Sequence, residues 1–316
     1  MTAVETSKSV NPPIEIGHRG LGFNPPPSPT LCDSAMIHPM GFDRISILGV
    51  GLIGGSVGLA CRRDASHSQI IGYSRNTQEI HRATERGAIH YGTINPVEAV
   101  TNADLVILCT PVGVFGKLIE AIAPTLKPGA IVTDVCSTKR TFARLAEKYP
   151  KIRFVGSHPM AGAEKHGIEN AREDLLTGAL CIVTPTISSD HASLQSIEGY
   201  WQSLKMRTVR MSAEVHDQLT SDISHLPHAI AAALVRIQSC ESLQLAARGF
   251  LDTTRIAAGD PSLWQEILLE NRENLRSGIV RMQKELQDLL EKLDSNDPSA
   301  IQQWLKAAAD IRRSRS

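Results

Sequence analysis

Residues 45–54 read Ile45-Ser46-Ile47-Leu48-Gly49-Val50-Gly51-Leu52-Ile53-Gly54, a short apolar run that breaks into glycines spaced G-x-G-x-x-G. The spacing alone is a weak signal. Here it follows a strand-like run and opens a segment, 55–62, whose small and apolar residues suit a helix packed closely on a sheet. Strand, glycine turn and helix together form the setting of a dinucleotide-binding fingerprint. In that setting Gly49 permits the tight turn, Gly51 lets backbone approach a pyrophosphate and Gly54 lets helix and strand pack together. Leu52 and Ile53 then open the helix whose N-terminus faces the anion.

Outward from this turn, apolar runs alternate with helical stretches, the pattern of a mostly parallel sheet in an α/β fold. Strands are expected at 44–49, 69–73, 104–109, 130–134, 152–156, 180–183 and 206–210. After about residue 211 the pattern becomes nearly continuous helix. The expected organisation is therefore a Rossmann-type domain over 44–211 and a helical domain over 212–316. Residues 1–43, rich in Pro, Ser, Asn and His, read as a mobile extension.

Composition narrows the function classes. Lys plus Arg total 33 and Asp plus Glu total 33, so no net field favours nucleic acid or an anionic membrane surface. No apolar run approaches the ~18 residues of a membrane span, and the N-terminus has no charged-then-apolar secretion signal. The six cysteines are scattered without a C-x-x-C pair, as expected of reduced thiols in a cytoplasmic protein.

The ends of the strands carry the chemistry. A carboxylate about 20 residues beyond the glycine turn would bind the 2′-hydroxyl of NAD. Ser74-Arg75-Asn76 stands there instead. A guanidinium beside a hydroxyl suits a 2′-phosphate, so NADP is the expected cofactor, with NAD possible if Arg75 is only a solvated surface charge. Thr110-Pro111 follows the third expected strand and reads as cofactor contact, or, for Thr110, as a helix cap. Ser137 follows the fourth and reads either as a hydroxyl reaching both nicotinamide and a neighbouring imidazole or as the cap of the next helix. His158, in Ser157-His158-Pro159-Met160-Ala161-Gly162, closes the fifth. An imidazole at that edge of the sheet is a candidate general base.

Five ordered segments between residues 44 and 295 make the chain similar to the prephenate/arogenate dehydrogenases of tyrosine biosynthesis. They are the glycine turn, the Asp-x-x-Ser-x-Lys run at 134–139, Ser157 to Gly162, His225-Leu226-Pro227-His228, and Thr254-Arg255-Ile256-Ala257 followed by Asp260-Pro261-x-x-Trp264. The resemblance implies oxidative decarboxylation of prephenate to 4-hydroxyphenylpyruvate with hydride transfer to NAD(P)+. His158 would hydrogen-bond the ring hydroxyl, Ser137 would stand beside it, and His225, Arg255 and, with less support, His228 would contact the substrate's carboxylates. It leaves open arogenate as substrate, for which an acid such as Glu164 near the side chain would select. A related NADP-linked hydroxy-acid or imine dehydrogenase, or a silent NADPH sensor, are the other readings, and His158, Ser137 and Arg255 argue against the last.

His225 and His228, three apart, could ligate zinc on one helix face, but no third ligand stands near, and no metal is expected. Trp264 reads as packing at a helix start, with Asp260 as cap and Pro261 in the first turn. The Ala-rich segment 227–238 is expected to be buried between neighbours. A long helix from Ser262 to about Lys292 would place Leu268, Leu275, Met282 and Leu289 in one seam, beside a row of Ile279, Leu286 and Leu293. Such a helix, about 45 Å long at 1.5 Å per residue, needs a partner, so a homodimer is expected.

Overall fold

The computed structural model describes residues 41–64, 67–162 and 167–314. Most of the 1–43 extension, and Glu164, therefore lie outside the described residues. Eight strands form one sheet in the order β3-β2-β1-β4-β5-β6-β7-β8. They are β1 (Arg44–Leu48), β2 (Gln69–Tyr73), β3 (Tyr91–Thr93), β4 (Leu105–Leu108), β5 (Ile131–Asp134), β6 (Arg153–Pro159), β7 (Leu180–Pro185) and β8 (Arg207–Arg210). The first six run parallel. β7 is antiparallel to β6, and β8 is parallel to β7.

The central strands are apolar without alternation because both faces are covered. Leu105 to Leu108 are all buried, as are Ile131 to Asp134. One face packs Ile45, Ile47, Val57 and Ala60 in a cluster that continues to Ile197 and Trp201. The other packs Leu48, Val106 and Leu108 against Phe115, Phe142 and Phe154. β1 lies between β2 and β4, so the strand order reverses there, and the crevice beyond their C-terminal ends is where an open sheet of this kind binds ligands.

β3 was not among the expected strands. Its three residues, Tyr91-Gly92-Thr93, make no apolar run, and the strand exists because β2 offers an edge to pair with. Beyond β8 every described element is helical. The expected long helix is two, Pro261–Glu270 and Arg272–Asp294, broken at Asn271, whose buried side chain turns inward to hydrogen-bond other elements. The Ala-rich helix Leu226–Arg236 buries only His228 and Ala231, so the expectation of burial between neighbours does not hold within one chain. Of the expected seam, Leu275 is buried and Leu268, Met282 and Leu289 are half-buried, while Leu286 and Leu293 of the second row are about half exposed, and so is Leu290 beside them.

Candidate active site

The glycine turn is built as its spacing requires. Gly49 has φ +109, which a side chain would strain, and a Cβ on Gly54 would stand 2.0 Å from the Gly49 carbonyl oxygen. Gly51 is different: a Cβ there would meet nothing within 4 Å, because this residue faces a cavity of roughly 820 Å³. The helix Leu52–Asp64 starts at that wall, and Leu52 and Ile53 line it too. An open glycine backbone at a helix N-terminus fits the pyrophosphate of a dinucleotide.

Thr110 and Pro111, beyond β4, line the same cavity. Thr110 caps no helix; its Oγ1 is buried without a partner, a hydroxyl waiting for a ligand. Ser74 and Arg75 follow β2 but do not line the cavity. Ser74 Oγ donates to Glu79 Oε2 at 2.6 Å, which brings a carboxylate to the place where sequence spacing showed none. Arg75 is exposed and makes no ion pair among the described residues.

His158 lies within β6, paired opposite Ile182 of β7, so its backbone is held in the sheet while its ring lines the cavity. Burial pushes its pKa well below the ordinary value, and His216, Lys139 and His225 add to the fall. The ring is therefore neutral near pH 7. Its Nδ1 lies 2.8 Å from His216 Nε2, and His216 Nδ1 lies 2.8 Å from Asp217 Oδ1. Both partners sit on the helix Ala213–Thr220, are fully buried, and went unremarked in the sequence because a His-Asp dipeptide in a helix carries no motif.

Asp217 also explains the start of the helix Arg140–Lys148. Its carboxylate accepts the backbone N–H of Lys139 at 2.7 Å and of Arg140 at 3.1 Å, the capping role that Ser137 could have filled. Ser137 is left with its hydroxyl on the cavity wall, and among the described residues no hydrogen bond joins it to His158. Beneath them Lys139 and Asp134 form a buried ion pair, and Asp134 also accepts the N–H of Ser157 and of Cys136. This binds the end of β5 to the end of β6, fixing Ser137 and His158 on one rigid platform.

The helical part supplies the opposite wall. His225 closes a π-helical turn, Ser221–His225, and lines the cavity. Asn271 Nδ2 donates to the Asp217 carbonyl oxygen at 2.6 Å, which sets the orientation of its amide, and it stands 3.1 Å from His225 Nδ1. That nitrogen must accept, so Nε2 carries the hydrogen; it is buried without a partner, a donor in need of an acceptor. Burial lowers the His225 pKa to about 4, so it donates as a neutral ring.

Arg255 also lines the cavity, from the helical turn Arg255–Ala258. His228 does not line it: its ring stacks on Trp264 with centroids 3.5 Å apart, and Trp264 is the cavity wall. Asp260 caps the helix Pro261–Glu270 as expected, accepting the Leu263 N–H at 2.8 Å. Glu266, one turn further, brings a carboxylate to the cavity, with Oε2 buried and unpartnered. Among the described residues no group of three or more His, Cys, Asp or Glu is placed to hold a metal, and no helix is long and apolar enough to cross a membrane.

Two family models match the chain: the nucleotide-binding domain of prephenate dehydrogenase over residues 57–210 and its dimerization domain over 212–307. The prephenate dehydrogenase of Bacillus subtilis is 33% identical over 279 residues, 85% of this chain and 75% of that protein. The cyclohexadienyl dehydrogenase of Zymomonas mobilis is 32% identical over 279 residues, 86% of this chain and 95% of that one. Among solved structures, prephenate dehydrogenase from A. aeolicus in complex with hydroxyphenyl propionate and NAD+ is 34% identical, with a TM-score of 0.82 covering 87% of this chain and 99% of that one. The arogenate dehydrogenase of Synechocystis is 28% identical, with a TM-score of 0.75 covering 86% of this chain and 100% of that one.

Proposed function

Since the chain belongs to the prephenate dehydrogenase family, we propose that it oxidatively decarboxylates prephenate to 4-hydroxyphenylpyruvate, in tyrosine biosynthesis, with NAD(P)+ as oxidant. The observation that carries the reading is the convergence on one cavity of an open glycine cradle, a neutral buried imidazole and an arginine. When bound, the nicotinamide accepts the hydride from C4 of the substrate. Loss of carbon dioxide from C1 makes the ring aromatic, so most of the drive lies in the substrate and the protein has mainly to orient it and take up a proton.

His158 takes that proton from the C4 hydroxyl as the C–O bond gains carbonyl character, a contribution of typically ~10²–10⁴-fold. Ser137, on the same platform, hydrogen-bonds the same region. Arg255 offers a planar carboxylate two parallel donors, and His225 Nε2–H offers a third. His228 supports Trp264 instead of touching substrate. The turn Gly49 to Gly54, with Thr110 and Pro111, holds the cofactor. His158→Asn should lower kcat by at least ~10²-fold with cofactor affinity retained; unchanged turnover removes His158 from the mechanism.

NADP is the cofactor we assign, on Arg75 and the absence of an acid directly after β2. Glu79, bonded to Ser74, opposes that preference by repelling a 2′-phosphate and keeps NAD usable. Arg75→Ala should weaken NADP far more than NAD, and Glu79→Gln should do the reverse; equal effects on both cofactors would show that the phosphate is not read there.

A second substrate reading rests on Glu266. Arogenate carries an ammonium where prephenate carries a ketone, and the unpartnered carboxylate in the cavity would favour the ammonium. Comparing kcat/KM for the two substrates in the wild type and in Glu266→Gln separates the readings. The half-exposed leucines of the helix Arg272–Asp294 support a homodimer. The free thiols Cys61, Cys109, Cys136, Cys181 and Cys240 support a cytoplasmic setting.

A further inference from the structure

We propose that His216 and Asp217 are positioning residues that hold His158 in the tautomer with a bare Nε2 and share the positive charge it acquires on accepting the substrate's proton. The proposal rests on the reading of His158 as the base.

The tautomers follow from one end of the chain to the other. Asp217 lies between three N–H groups, those of Lys139, Arg140 and the His216 ring. Burial alone would raise its pKa, but the hydrogen bonds from His216, Lys139 and Arg140 outweigh burial and hold the carboxyl below its ordinary value. It is ionised and only accepts. His216 Nδ1 therefore carries the hydrogen. Burial lowers the pKa of His216 despite Asp217, so the ring is neutral and Nε2 is an acceptor. His158 Nδ1, 2.8 Å away, must donate to it, and in a neutral ring Nε2 is then left with its lone pair.

This arrangement resolves a conflict in the site. A buried imidazole is neutral near pH 7, as a base must be, yet the same burial makes it reluctant to hold a proton. The positive charges that face His158 make this worse: Lys139 lies in the same buried layer, and His225 would add repulsion if it were protonated. Asp134 offsets Lys139 by direct pairing, and Arg140 lies 3.7 Å from Asp217 Oδ2 at the outer end of the chain. Asp217, paired with Arg140 only at its outer oxygen, is the carboxylate that faces the two rings. As the O–H bond of the substrate breaks and an N–H bond forms at His158 Nε2, the Nδ1 hydrogen can move toward His216 Nε2 and the His216 Nδ1 hydrogen toward Asp217. No electrons are gained or lost along the chain; one proton enters, and its charge spreads toward an anion that was already buried there.

Two measurements test this. In the wild type, two-bond ¹H–¹⁵N correlation at pH 7.5 should show His158 with Nδ1 protonated and Nε2 unprotonated; the opposite pattern overturns the proposal, whatever the turnover. Asp217→Asn should lower kcat by at least ~10²-fold with KM for the substrate changed less than about threefold, move the acid limb of the kcat–pH profile, and place the His158 hydrogen on Nε2. Wild-type kcat in that variant, or a loss confined to KM, also overturns it. If the variant does not fold, His216→Gln takes its place under the same criteria. Wild-type turnover in His158→Asn would instead refute the underlying assignment of the base, so the two failures are distinct.

Discussion

The side-chain amide of Asn271 lies 3.1 Å from His225 Nδ1, and this contact decides which nitrogen of that histidine is a donor. The same amide holds the Asp217 carbonyl oxygen at 2.6 Å, so one residue at a helix break joins the cavity wall that carries His225 to the helix that carries His216. Asn271→Leu should remove one bond to a carbonyl that keeps the Ser221 N–H, and should leave the buried His225 Nδ1 without its partner, at a cost of about 1–3 kcal/mol, releasing His225 to either tautomer. The expected result is a lower Tm and a KM for the substrate raised severalfold, with kcat reduced much less. A variant with wild-type KM would show that the orientation of His225 does not matter for binding.

The glycines of the turn separate folding from binding. Gly54→Ala forces a methyl to within 2.0 Å of the Gly49 carbonyl oxygen and 2.9 Å of Ile47 Cγ2, so soluble yield or Tm should fall sharply. Gly51→Ala meets open space and should fold normally. Its methyl projects toward the cavity that the cofactor would fill, so affinity for NAD and NADP, measured by fluorescence titration, should drop together. Normal cofactor affinity in the folded Gly51→Ala protein would place the pyrophosphate elsewhere.

Much of this site is legible in the sequence because the positions that matter end strands, and strand ends in a parallel sheet meet at one edge. Gly51, Thr110, Ser137 and His158 are far apart in the chain, yet β1, β4, β5 and β6 are neighbours in the sheet and deliver them to one cavity. Periodicity has no such power over the helical part. The break at Asn271 is invisible to it because apolar spacing continues through the break, and Asn ends the first helix only because its amide has two buried partners elsewhere. His216 and Asp217 went unnoticed for a related reason: their role depends on a contact with β6 that is 58 residues away for His216. Trp264 reads from the sequence as packing; it does pack, on His228, but it also lines the cavity.

The exposed row on the helix Arg272–Asp294 gives a test of assembly. Leu286, Leu290 and Leu293 are each about half exposed and lie along one stripe of the helix, a surface that a second copy of the chain would cover. Leu286→Lys combined with Leu290→Lys puts two charges into the stripe without touching the sheet. Light scattering at micromolar concentration should show a dimer for the wild type and a monomer for the double variant. A monomeric wild type would refute the assembly.

The buried histidines also set how stability depends on pH. His225 is held at about 4 in the fold, against 6.5 for an unperturbed histidine, and burial lowers His158 and His216 as well. Between those values the unfolded chain binds more protons than the folded one, so stability rises with pH through the window and is complete above about 6.5. It is lost as pH falls from 6.5 toward 4. The depressed carboxylate of Asp190, held near 2 by Arg153 and the N–H of Ser193, acts in the same direction but only below about 4, outside this window. At constant ionic strength Tm should therefore fall between pH 7 and pH 5. The fall should be shallower in His225→Gln, which has no ring to protonate, even if that variant melts lower at pH 7. An equal slope in both proteins would show that His225 is already charged in the folded state, and with it the neutral Nε2–H donor assigned to the substrate's carboxylate would be wrong.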